Sequence, residues 1–226
     1  MDTLERLNES NRGMTIYSLN HEKFGKYGKI YKDIEAEPVM SYLKRNASAE
    51  KGLSHYLASI SEMEVESPFK EYVKNNIFGG MDIEIGWCYG WNTKMKGMEY
   101  HKGSEVIVAA TECVLLLGRT EDIEICDGKP VYHSSKTEAF YVETGTVLEL
   151  YAYTLHLAPL QVKTDGQFIT GIILARGTND KLSFTPENDA EGTMLAAKNK
   201  WLLLHPEAGN NKLGMVAGEN IEIKTL

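Results

Sequence analysis

The stretch KGMEYHKGSEVIVAATECVLLLG, Lys96 to Gly118, decides how the chain is read. It places Glu99, His101 and Glu105 just ahead of and at the start of a long apolar run, rich in β-branched residues, that closes in glycine. Residues two apart in a strand share a face, so Glu99 and His101 project the same way; Glu105 has the same parity, with Gly103 free to introduce a bulge. All three side chains then point into the interior that the apolar run builds. Carboxylates and imidazoles there need compensation for their lost water, and a divalent cation supplies it directly. Zinc, manganese, iron and nickel all accept mixed His and carboxylate ligands. A fourth candidate is His156 in LHLAPLQV, flanked by Leu155 and Leu157 after an expected turn at Tyr151 to Thr154. The competing reading of His101 with Glu105 is a solvated hairpin, and of His156 a core histidine bonded to a backbone carbonyl. Glu99 reads as either a ligand or a general base beside the ion.

Outward from this stretch the texture is β-rich. Asp82–Cys88, Glu105–Leu117, Ala139–Val142, Val147–Leu150, Leu155–Val162 and Phe168–Leu174 are short strand-like segments separated by CDGKP, ETGT, KTDG and RGTND turns. Close spacing without helical periodicity between them predicts an antiparallel barrel or sandwich over residues 79–192. Residues 1–78 read as a more helical, edge-covering extension. EPVMSYLKR (Glu37–Arg45) carries a proline-started amphipathic pattern, and Ser67 caps a second helix in SPFKEYVKN with Pro68 at its first position. Residues 193–226 read as a C-terminal extension packed on the core, opening with a helix in TMLAAKNKWLLLHPE.

The 226 residues are 42% hydrophobic and 25% charged, with a net charge of -8. That size suits one main core, and the acidic balance argues against nucleic acid or an anionic membrane as partner. A small-molecule metabolite fits better. Three cysteines without CxxC spacing suggest neither a disulfide framework nor a structural zinc site. No apolar stretch approaches membrane-spanning length and no apolar leader opens the chain, so a cytoplasmic location is expected.

The ExH pattern at Glu99 and His101, Glu105 four residues on, the ETG of Glu143–Gly145 and the later His156 resemble the two-motif pattern of the cupin superfamily (RmlC-like). Cupins read HxH before the Glu, so Glu99 departs from the pattern and stands where a first His would. HKGSEV with ETGTVLELYAYTLHLAP is locally similar to the ureidoglycolate lyase branch. More broadly, NTKMKGMEYHKGSEVIVAATECVLLLG, AFYVETGTVLELYAYTLHLAP and NKWLLLHPE resemble an uncharacterised family of bacterial cupin-like proteins.

That resemblance implies a mainly β fold: a cupin-type antiparallel β-barrel (double-stranded β-helix or jelly roll) with helical N- and C-terminal extensions. It implies a divalent metal on His101, Glu105, His156 and Glu99. The expected activity is isomerase, epimerase or lyase chemistry on a sugar or hydroxy acid, with Glu99 or Glu149 moving a proton next to a metal-polarised oxygen. Trp87, Trp91 and Tyr151 are the candidate substrate wall. A noncatalytic metabolite-binding cupin is the alternative, and an iron dioxygenase using His101, His156 and Glu105 a third reading. A homodimer is expected, with Ile16–Tyr31 covering an edge of its own or the partner's barrel.

Overall fold

The computed structural model describes residues 1–209 and 213–226. The N-terminal part supplies α1 (Thr3–Ser10), β1 (Ile16–Ser18), β2 (Gly28–Tyr31), α2 (Val39–Asn46), β3 (Ser54–Leu57) and α3 (Pro68–Tyr72). The centre supplies β4 (Ile83–Gly90), β5 (Gly97–Tyr100), β6 (Glu105–Ala109), β7 (Cys113–Arg119), β8 (Ile123–Cys126) and β9 (Lys129–His133). It continues through β10 (Glu138–Val142), β11 (Val147–Leu150), β12 (Thr154–Leu155), β13 (Leu160–Gln161) and β14 (Phe168–Ala175). The last part holds α4 (Ala190–Met194), β15 (Leu195–Ala197), β16 (Lys200–Leu204) and β17 (Gly214–Ala217). The fold is mainly β, and most of its strand pairs are antiparallel.

The strands form three sheets. One runs β2-β11-β6-β14-β4-β3, a second runs β1-β10-β7-β12 with β13 also on β7, and a third runs β15-β16-β17-β9-β8 with β5 on β16. Strand alternation shows how they stack. On β6, Ile107 and Ala109 join the apolar cluster shared with Leu115, Leu117 and Phe140 of the second sheet, whereas Val106 and Val108 face α2 and α3. On β7, Val114 and Leu116 turn the other way, toward Trp201, Leu203 and Val216 of the third sheet. Both central sheets are therefore covered on both faces, and this explains why Glu105–Leu117 reads as apolar without alternation.

That run was expected as one strand and is two. Ala110 and Thr111 donate backbone N–H groups to Ile169 O, and between Ala109 and Cys113 the chain passes from the first sheet to the second. Leu155–Val162 is likewise split, at Pro159, into two short strands. The helix expected from Thr193 onward does not form: a short helix, Ala190–Met194, ends as that stretch begins, and from Leu195 the chain is a hairpin turned at Asn199 (φ 54). Here period-2 burial wins, with Trp201 and Leu203 inside and β16 paired to both β5 and β17. The two N-terminal helices lie where capping and periodicity suggest, and Ser67 Oγ accepts from Lys70 N at 3.2 Å.

Residues 16–31 cover edges of their own chain. β1 pairs with β10 in parallel and β2 with β11 antiparallel. A polar clamp holds them: Lys23 Nζ and Lys26 Nζ lie 2.6 and 2.8 Å from the Glu138 carboxylate, and Tyr27 Oη donates to it at 2.7 Å. Burial alone would raise the Glu138 carboxyl, but these three donors hold it down at about 2. A depressed carboxyl stabilises the fold above its ordinary pKa and loses that contribution as pH falls toward the folded value. We expect wild-type protein to lose about 1–2 kcal/mol between pH 4.5 and 2 from this clamp, after allowing for solvent screening of the half-exposed lysines. Glu138→Gln should remove that part of the acid dependence, as read by urea midpoints against pH; an unchanged slope would rule the clamp out.

Candidate metal centre

Three backbone features assemble the site. Glu99 and His156 form an isolated antiparallel bridge, Glu99 N donating to His156 O at 2.6 Å and His156 N to Glu99 O at 2.9 Å. Directly opposed residues present side chains on one face, and His101, two residues on, shares it. The Lys102–Ser104 turn then returns the chain as β6. Its first residue, Glu105, opposes Leu150 and so faces the space between the first and second sheets, where Leu150 packs.

His101, Glu105 and His156 are 2, 6 and 4% exposed. His101 Nδ1 is 2.8 Å from Asn199 O and His156 Nδ1 is 2.8 Å from Thr154 O. A carbonyl accepts only, so each Nδ1 carries the proton and each Nε2 is turned to the centre, as metal-bound imidazoles are oriented. There, His156 Nε2 lies 3.3 Å and His101 Nε2 3.5 Å from Glu105 Oε2, with Glu99 Oε1 3.9 Å from His101 Nε2. His101 Nε2 is buried without a hydrogen-bond partner. Ligand atoms about 2.0–2.2 Å from a divalent ion stand roughly 3.0–3.5 Å apart in tetrahedral or octahedral arrangements. The observed separations lie at or just above that range, and the donor set fits such an ion. Among the described residues, Glu99, His101 and His156 form the group whose ligand atoms all lie within 4.8 Å of one another.

Without an ion the charges compensate one another. Burial alone would depress the His156 imidazole, but Glu105, and then Glu99, lift it to about 9. Burial would raise Glu105, and the two imidazoles instead hold it well below the usual carboxylate range. Glu99 Oε2 lies 2.5 Å from Lys200 Nζ. Cys88 borders the same space, its thiol pushed up to about 12 by burial and the Glu105 and Glu99 charges, so it stays protonated.

The cluster lines a cavity of about 30 Å³. Ile107, Ile172, Leu174 and Pro159 give it an apolar wall, and Tyr56 with Asn179 closes one side, Asn179 Nδ2 donating to Tyr56 Oη at 2.9 Å. Tyr56 opposes Cys88 across the β3–β4 pair. Gly86 permits the close passage of the chain that follows, since a Cβ there would meet Leu57 O at 1.9 Å.

Four other expected site residues lie elsewhere. Glu149 opposes Val106 rather than Glu105, so strand alternation sends it to the face covered by the N-terminal helices; there it accepts from Tyr31 Oη (2.7 Å) and Ser104 Oγ (2.6 Å). Trp87 alternates with Cys88 and packs tilted against Tyr42 and edge-on against Tyr89 of that outer face. Trp91 bonds Ala49 O through Nε1, under Lys51. Tyr151 is exposed. None of the four lines the cavity. Lys200, Tyr56, Asn179 and Cys88 were not anticipated. For Cys88 the signal was present in DIEIGWC, where parity puts either the Trp or the Cys inward; the other three arrive through pairings that sequence spacing does not reveal.

The fold and site define a layered, mainly antiparallel β protein with a buried cluster of histidines and carboxylates suited to a divalent ion. The chain belongs to the family described as a domain of unknown function, DUF4867, whose model matches residues 16–221. Comparison with curated proteins returns no match. Among solved structures it is similar to oxalate decarboxylase from Bacillus subtilis, with 10% identity and a TM-score of 0.32 over 59% of this chain and 28% of that one. It is also similar to vicilin from hazelnut (Corylus avellana), with 10% identity and a TM-score of 0.33 over 58% and 31%. The chain thus spans less than a third of the length of either. No helix among the described residues is long and apolar enough to cross a membrane.

Removing one member of a buried charge group strands the others, at about 3–5 kcal/mol. Glu105→Gln, unfolded in urea with chelator present, should lose about that much relative to wild type under the same conditions. An unchanged midpoint would mean that the imidazoles are not held by this carboxylate.

Proposed function

We propose that the chain is a metal-dependent cupin, a jelly-roll barrel whose ion is held by His101, His156, Glu105 and Glu99, acting on a small oxygenated metabolite by isomerase, epimerase or lyase chemistry. The observation that carries this reading is the double pinning of the imidazoles: both Nδ1 atoms face backbone carbonyls and both Nε2 atoms face the same carboxylate oxygen. A divalent ion at that point would supply Lewis-acid polarisation of a substrate oxygen. The chain's own groups do the rest. Glu105, between two imidazoles, stays ionised. Glu99 turns Oε1 toward the centre; it either completes the ligand set or, free of the ion, takes and returns the proton on the carbon next to the polarised oxygen. Ile107, Ile172 and Leu174 keep bulk water from the reacting carbon.

A cavity of about 30 Å³ holds a few atoms, on the order of two water-sized spheres. Within the substrate range, this favours a short hydroxy or keto acid over a sugar, unless the Tyr56–Asn179 side moves. The same small volume supports a second reading, a noncatalytic cupin that binds its ligand without turnover. Protein purified without chelator should carry close to one transition-metal ion per chain by elemental analysis, and His101→Ala and His156→Ala should each retain about a tenth of it or less. Unchanged ion content in both variants would remove the metal reading. Proton exchange into short 2-hydroxy acids in D2O, followed by NMR, separates the two readings: exchange supports catalysis, and binding without exchange supports the noncatalytic protein.

A further inference from the structure

We propose that Lys200 is the specificity residue that makes this site select a small monocarboxylate. The proposal rests on the cation reading of Glu99, His101, Glu105 and His156. Leu202 opposes Glu99 in the β5–β16 pair, so Lys200, two residues away, lies on the face of the sheet that carries Glu99. Its Nζ is 2.5 Å from Glu99 Oε2 and 6.0 Å from the centroid of the Tyr56 ring, so the ammonium stands behind two residues that line the cavity. The side chain is only 22% exposed. Neighbouring cations are already committed, Lys102 to Glu191 and Lys198 to Asp180. Among the described residues Lys200 has Glu99 as its ion-pair partner, and Glu99 is also a candidate ligand.

Charge counting then identifies the guest. Two carboxylates balance a divalent ion, and imidazoles that direct Nε2 to an ion are neutral. Lys200 leaves the assembly with one positive charge in a largely buried place, where unpaired charge is costly. A monoanion cancels it. A neutral polyol leaves it uncompensated, and a dianion overshoots. An ammonium has three donors, so Lys200 can keep its ion pair with Glu99 while an N–H takes the carboxylate of the guest. With the Tyr56–Asn179 side moved out, the short apolar wall takes what remains of a two-carbon acid.

The experiment uses the full chain loaded with Co2+, whose visible spectrum reports changes around the ion. It is titrated with glycolate and, as a neutral probe of similar size, with ethylene glycol. Wild type should bind glycolate at least about tenfold more tightly than ethylene glycol, the scale of a charge-assisted hydrogen bond. Lys200→Met should bind Co2+ at least as tightly as wild type, because a competitor for Glu99 is gone, yet lose about tenfold in glycolate affinity while ethylene glycol is unaffected. Lys200→Arg, which keeps the charge, should stay within about threefold of wild type. Equal glycolate binding by wild type and Lys200→Met, or no preference of wild type for glycolate, overturns the role of Lys200 and leaves the metal reading standing. Loss of Co2+ binding in Lys200→Met also overturns it, since the lysine would then be structural. Wild-type protein that takes up no Co2+ removes the metal reading itself, and the Lys200 proposal with it.

Discussion

Four ionisable side chains meet where the first and second sheets face each other, and they cannot be left uncompensated. Each carboxylate or imidazole pulled from water costs several kcal/mol unless an opposite charge or a set of hydrogen bonds replaces the lost solvent. The chain replaces it in layers. Backbone carbonyls of Thr154 and Asn199 take the Nδ1 protons, Glu105 sits between the two Nε2 atoms, and Lys200 caps the far oxygen of Glu99. The supports come from distant parts of the sequence, so the β12 turn and the β15–β16 hairpin must both be docked before the cluster is stable. The third sheet is thus part of the site: it supplies the acceptor that orients His101 and the cation that faces Glu99.

This dependence explains what sequence reading could and could not see. Parity along EYH placed Glu99 and His101 on one face, and the apolar setting of LHLAP marked His156 as a histidine needing a partner; the structure brings these three together with Glu105. Glu149, a candidate through the resemblance, lies elsewhere because the register of β11 against β6 decides which face it takes: Val106, not Glu105, stands opposite. Trp87 failed for a related reason, since the inward position of β4 went to its neighbour Cys88. Aromatic bulk was no guide to which face mattered, because both faces of that sheet are buried. Lys200 and Tyr56 lie on strands that join the site only through pairing with β5 and β4, and no local pattern announces such pairings.

The same two-sided burial accounts for the errors in element type. TMLAAKNKWLLLHPE contains good helix formers, but a helix there would remove the strand that joins β5 to β17 and would take Trp201 from its place against Tyr100, whose ring it stacks at 5.3 Å. Tertiary pairing outweighs local propensity, which is worth only tenths of a kcal/mol per residue. At the N-terminus the balance differs. Residues 16–31 are rich in polar residues, yet they close edges of both central sheets by burying Ile16, Leu19, Phe24 and Tyr27, and the Glu138 clamp holds the segment between them.

Compensation of the buried cluster has two solutions, and they exclude each other. In one, a proton sits on His156 Nε2 and Glu105 is its counter-ion, which agrees with an imidazole lifted to about 9 and a carboxylate held low. In the other, a divalent ion takes the proton's place between the same atoms. Both draw on the same Nδ1 anchors, so exchanging proton for ion requires little rearrangement of the rings, only a small contraction of the 3.3–3.9 Å separations. On the metal reading, affinity for the ion rises with pH as the competing proton becomes easier to displace. The positions of the four residues favour such an exchange: Glu99 and Glu105 lie on paired strands and His101 and His156 directly follow paired strands, and the apolar layers on either side hold those strands whether the centre contains a proton or a cation.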